Sequence, residues 1–135
     1  MLAEMPLIDG SDEARLLAAM LAAVGMAEAD VAHVNILPWP MQGRRPARPA
    51  DLAYFTPYAL RGLALMAPRL VLALGSRAAS LADPDAPPAT LRGRWLALAG
   101  APMVASFAPS MLLGQPRLKA EAWADLQQLA QRISR

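Results

Sequence analysis

The 135-residue chain is 56% hydrophobic and 18% charged, carries a formal net charge of +2, and has one histidine and no cysteine. This predicts a single globular domain over residues 1–135 with an aliphatic core. It excludes disulfides, thiolate nucleophiles, cysteine-held metal or iron–sulfur sites and multi-histidine metal sites, so no metal or other cofactor is expected.

In chain order, Met1 to Pro6 reads as a strand stub closed by the Asp9-Gly10 turn signal. Ser11 followed by Asp12 and Glu13 is a helix start, because the hydroxyl can cap free N–H groups and the acids suit the positive helix end. Leu16, Leu17, Met20, Leu21 and Val24 then recur at helical spacing up to a stop at Gly25. Val31 to Leu37 is a short strand, and residues 38–49, with four prolines and three arginines, form an exposed loop. A helix from about Ala50 to Ala67 follows, kinked or opened by Pro57, with Leu60, Leu63, Ala64 and Ala67 inward.

Leu70 to Leu74 is a continuous apolar run ending at Gly75, the pattern of a strand covered on both faces. A short helix begins at Ser76, and residues 83–89 form a proline-rich loop. Strands around Trp95 to Leu98 and Met103 to Phe107 precede a last helix starting near Pro116, with Trp123, Leu126, Leu129, Ala130 and Ile133 as its apolar stripe. Alternating strands and helices predict a mainly parallel central sheet covered by helices on both faces, an α/β protein. The apolar runs all stop short of the roughly 20 residues a membrane span needs, and no secretory leader opens the chain, so a soluble cytoplasmic location and no membrane partner are expected.

Several separated segments carry a resemblance. They are Ala3-Glu4-Met5-Pro6, Asn35 to Pro40 with Gly43-Arg44-Arg45-Pro46, Pro57 to Leu60, Pro68 to Ala79, Leu91-Arg92-Gly93-Arg94-Trp95, Ser106 to Leu113, and Gln115-Pro116 to Leu126. Together they resemble the type 4 uracil-DNA glycosylases. The resemblance implies a three-layer α/β/α, uracil-DNA glycosylase-like fold and a pocket for a flipped uracil. In that family an Asn pairs with the base and a His donor stabilises the charge on the departing base. Asn35 matches the Asn and Glu4 the acid of the first motif, whereas Ala108, ahead of Pro109 and Ser110, stands at the His position. An alanine has no donor. By analogy with removal of one oxyanion-hole donor, the loss costs about 2.7–4 kcal/mol, roughly 10²–10³ in rate.

Two further departures point the same way: the acidic, Gly-rich segment after the first motif is collapsed into Leu7 to Asp12, and the cluster cysteines have no counterpart. The expectation is a vestigial pocket formed by Glu4, Asn35, Ala108, Pro109 and Ser110, with no catalytic residue. A psi-like subunit of the bacterial DNA polymerase III clamp loader, similar in size and in fold to these glycosylases and lacking their activity, fits that description. Chi and clamp-loader subunits are then the expected partners. The competing expectation is a small active glycosylase that hydrolyses the N-glycosidic bond of uracil in DNA.

Each site residue also has a plainer reading. Asn35 at a strand end can serve a turn, and Glu4 can be a solvated acid. His33 alternates with the apolar positions of its strand and reads as a surface or pocket-rim residue without a catalytic role. Arg44, Arg45 and Arg48 on a proline-stiffened loop suit phosphate contacts or a solvated surface equally. Ser76 and Arg77 after Gly75 mark a helix start at the sheet edge, an anion site or an ordinary strand–helix junction. Pro38, Trp39, Pro40 and Met41 form the candidate partner-binding patch, since Trp and Met outside the core are typical interface anchors. Trp123 reads as core.

Overall fold

In the computed structural model, which describes residues 1–3, 10–27, 31–37, 48–87 and 90–133, the apolar runs assemble a five-stranded sheet in the order β2-β1-β3-β5-β4. Strands β1 (Leu2–Ala3), β2 (Val34–Asn35), β3 (Val71–Leu74) and β5 (Ala101–Ser106) run parallel. Strand β4 (Trp95–Leu98) lies antiparallel to β5 at one edge. Ala99 and Gly100, both at positive φ (51° and 79°), make the two-residue turn of that hairpin.

The run ending at Gly75 behaves as its composition requires. All four residues of β3 are buried, and their side chains alternate between two faces. Val71 and Ala73 pack with Leu63 of helix α2 (Pro49–Met66) and with Ala78 and Ala79 of α3 (Ser76–Ala79). Leu72 and Leu74 pack with Leu17 and Leu21 of α1 (Asp12–Ala23) and with Leu126 and Leu129 of α5 (Lys119–Ile133). The result is the three-layer α/β/α arrangement expected, with α2 and α3 on one side and α1 and α5 on the other.

Local chemistry sets the helix ends. The Ser11 hydroxyl accepts the Ala14 N–H at 3.2 Å, Asp12 and Glu13 occupy the first turn, and Gly25 takes a φ of 80° just past the last turn. Pro57 does not open α2: the helix is continuous from Pro49, with Pro57 inside it on its exposed side, where water can reach the carbonyl that loses its donor. Its inward stripe is rotated from the expected one. Ala59 and Leu63 are buried, whereas Ala64 and Ala67 are exposed, because the face that meets β2 and β3 runs through residues 52, 56, 59 and 63. A six-residue helix, α4 (Pro109–Gly114), follows β5, and a 3-10 turn at Pro116–Leu118 leads into α5.

The last helix also departs from its expected stripe. Ala122, Asp125, Leu126 and Leu129 are its buried residues, while Trp123 and Ile133 are 38% and 42% exposed. Trp123 lies beyond the edge of the contact face and so is not core. Among the described residues no helix is long and apolar enough to cross a membrane.

Candidate functional site at the carboxyl edge of the sheet

The parallel registers align the strand ends. Asn35 pairs with Ala3, Ala3 with Leu74, and Leu74 with Ser106, so one row crosses from β2 to β5 at the carboxyl edge. Chain order reverses direction between β1 and β3, and in open α/β sheets ligands bind outside the carboxyl ends at that switch point. Asn35 stands on one side of it. Its side chain is half-buried, and among the described residues no hydrogen bond engages its amide.

On the other side stand Gly75 and Ala108. The Gly75 N–H donates to the Ser106 carbonyl at 2.9 Å, and Gly75 holds φ at 96°, a conformation favouring glycine. A Cβ built on it would lie 3.4 Å from the Ala108 Cβ, so the two segments touch. Ala108 is the half-buried residue before α4; Pro109 is buried as the first helical residue, and Ser110 is exposed. Asn35, Ala108, Pro109 and Ser110 therefore gather at one edge from β2 and the β5–α4 junction. Glu4 lies outside the described residues, as do Pro38, Trp39, Pro40, Met41, Arg44 and Arg45.

A sequence model of the Uracil DNA glycosylase superfamily matches residues 6–127. The chain belongs to the uracil-DNA glycosylase superfamily. No curated protein matches it.

In this superfamily member, Ser76 and Arg77 are exposed on a helix of only four residues, so few aligned peptide dipoles back the expected anion site. Arg48 is engaged locally: its N–H donates to Asp51 Oδ2 at 3.0 Å, and its Nε lies 3.6 Å from the same oxygen, which ties off the start of α2. His33 is exposed below Asn35 on the approach to β2.

Sequence reasoning missed the polar cluster beneath the edge. Asp125, 1% exposed, accepts two hydrogen bonds from Arg92 Nη1, at 2.9 Å to Oδ1 and 3.0 Å to Oδ2. The Ser106 hydroxyl donates to Oδ2 at 2.8 Å. The Arg92 guanidinium also lies 5.1 Å from the centre of the Phe107 ring, and Gln128 Nε2 donates to the Gly93 carbonyl at 3.2 Å. Burial pushes the Asp125 carboxyl above the ordinary aspartate range, opposed by the hydrogen bonds from Ser106 and Arg92 and by the Arg92 charge. Both segments were visible as superfamily-like stretches, yet nothing in either marks Arg92 and Asp125 as partners 33 residues apart.

The cluster places Ser106 and Phe107 firmly ahead of Ala108 and supplies no reactive group. Asp125 is closed to solvent and fully engaged, so it cannot serve a substrate as a base. Among the described residues, no group of three or more His, Cys, Asp or Glu is placed to hold a metal ion. A cavity of about 510 Å³ opens at the opposite, amino edge, lined by apolar residues such as Leu21, Met26, Val34 and Leu63 with Arg69 as its charged side chain. It holds no acid–base pair and lies away from the switch point.

Gly93 is the tightest point of the cluster. It holds φ at 74°, and an added Cβ would fall 3.1 Å from Asp125 Oδ1. Gly93→Ala is expected to cost roughly 1–2 kcal/mol from the backbone alone. Urea denaturation checks this, and an unchanged midpoint at unchanged slope would show that neither the turn nor the carboxylate is constrained as described.

Proposed function

We propose that the chain is a non-catalytic adaptor of DNA replication or repair built on the uracil-DNA glycosylase fold, a psi-like subunit that bridges chi and the DNA polymerase III clamp loader. The observation that carries this reading is Ala108. It occupies the β5–α4 junction at the carboxyl edge, opposite Asn35 across the switch point, and offers only a methyl group where the resembled glycosylases place a donor to the departing base. The collapsed Leu7 to Asp12 segment and the absence of cysteine support the same conclusion. So does the engagement of Asp125, the buried acid nearest β5, in structural hydrogen bonds.

Partner contact falls to Pro38, Trp39, Pro40 and Met41, with Arg44, Arg45, Arg48, Ser76 and Arg77 as subsidiary phosphate contacts should DNA lie alongside. Single-turnover excision of uracil from a labelled oligonucleotide tests the loss of chemistry. The expected rate is at least about 10²-fold below that of an authentic glycosylase, and a rate within about tenfold of one would overturn the proposal. Capture of chi or clamp-loader subunits from native extract, weakened by Trp39→Ala, is the expected companion result. A clean monomer there counts against the adaptor role.

A further inference from the structure

The outward face of α2 has the wrong composition for a solvated helix. Tyr54, Tyr58 and Leu65 are 66%, 67% and 70% exposed and lie on the side turned away from buried Ala59 and Leu63. Ala50, Ala53, Pro57 and Ala64 flank them, also exposed, and among the described residues Arg61 is the exposed charge between the two tyrosines and Leu65. Asp51, in the first turn on the same row, is partly covered and lies 3.6 Å from Arg48 Nε. A surface helix ordinarily turns charged and polar residues outward. Contiguous apolar exposure of this kind marks an interaction surface.

The spacing is specific. Residues 54, 58, 61 and 65 follow at steps of four, three and four, the seam of a two-helix coiled coil. Laid antiparallel against its own copy about a two-fold axis near residues 59 and 60, the seam is self-complementary: Tyr54 meets Leu65 of the second copy, and Tyr58 meets Arg61. A two-fold axis forms each of these contacts twice. Arg61 is exposed and has no ion pair among the described residues, so its guanidinium is available to stack on the facing tyrosine ring. The buried charge problem that would exclude Arg61 from a foreign apolar helix is thereby answered within the chain.

From these observations we infer that α2 is a homodimerisation surface, pairing antiparallel with a second copy through Tyr54, Tyr58, Arg61 and Leu65. This is independent of the adaptor reading, since neither the carboxyl edge nor the Trp39 segment takes part. With two tyrosines two-thirds exposed, the seam buries on the order of 500 Å² per protomer, which places the dimer at the lower limit of specific interfaces. Association is therefore weak, with a dissociation constant on the order of 10–100 µM.

Sedimentation velocity of the full chain over roughly 5 to 500 µM is expected to show a reversible monomer–dimer equilibrium, weakened about tenfold or more by Tyr58→Glu at an unchanged thermal midpoint. The natural absence of cysteine permits a test of direction. Protomers carrying Tyr54→Cys mixed with protomers carrying Leu65→Cys should form the mixed disulfide on oxidation, and neither variant alone should cross-link. A wild-type monomer throughout the range, indifference of the dimer to Tyr58→Glu, or preferential linkage of position 54 to itself would each overturn the proposal.

Discussion

Replacing Arg92 by alanine is expected to lower the unfolding free energy by about 3 kcal/mol at neutral pH, with the loss shrinking as the pH falls toward about 4. The reason is the asymmetry of a buried pair: Asp125 is closed to solvent, and without Arg92 its carboxylate keeps, among the described residues, only the Ser106 hydroxyl. Arg92 is one-third exposed, so water replaces part of what it supplies and the figure falls at the lower end of the range for breaking buried pairs. The sign of the pH dependence follows from burial. The folded carboxyl already sits above its ordinary value of 3.8, so its contribution to stability is fully present below that value and is lost as the pH rises through the folded pKa. Removing Arg92 pushes the folded pKa further up and widens the window over which stability is lost. Urea denaturation at several pH values is the measurement, and Asp125→Asn in the Arg92→Ala background should recover most of the loss at neutral pH. A loss of equal size at every pH would assign the effect to packing of Arg92 on Phe107 instead.

How much of this was legible in the sequence depended on whether a feature is local. The Ser11 cap, the Gly25 stop and the doubly covered β3 strand each follow from residues within one turn or one run, and they stand where expected. The inner part of α2 is different: Pro57 suggests a possible start for the main part of the helix, but an exposed proline can be carried through a helix whose other side is anchored by Ala59 and Leu63. Helix α4 is too short for periodicity to reveal, with Pro109 at its start as the available signal.

The last helix shows why the rest was not legible. Residue type alone puts Trp123 in its buried stripe and leaves Asp125 outside. The structure reverses both, because Arg92 and Ser106 arrive from elsewhere in the chain to satisfy the carboxylate. A buried acid is visible only together with its partners. The candidate edge was more accessible. Asn35, Gly75 and Ala108 were each singled out by motif, and parallel registers bring their strands to one row. What sequence could not supply was the contact between the Gly75 and Ala108 segments.

The remaining question is whether Ala108 is the decisive loss or one of several. Ala108→His is expected to raise single-turnover uracil excision roughly 10²-fold over the wild-type chain, the value of one restored donor in a preorganised site. The expectation rests on what survives at the edge: an Asn35 amide with no hydrogen bond among the described residues, a strand row still in register, and a half-buried residue 108 whose carbonyl accepts the Met111 N–H at the start of α4. Asn35→Ala in the Ala108→His background should remove the gain, because a donor to the departing base is useless when the base is not held. A gain that persists without Asn35 would place uracil recognition elsewhere. No gain at all would move the decisive loss from Ala108 to the shortened Leu7 to Asp12 segment after the first motif, because a restored donor adds little where water still reaches the departing base.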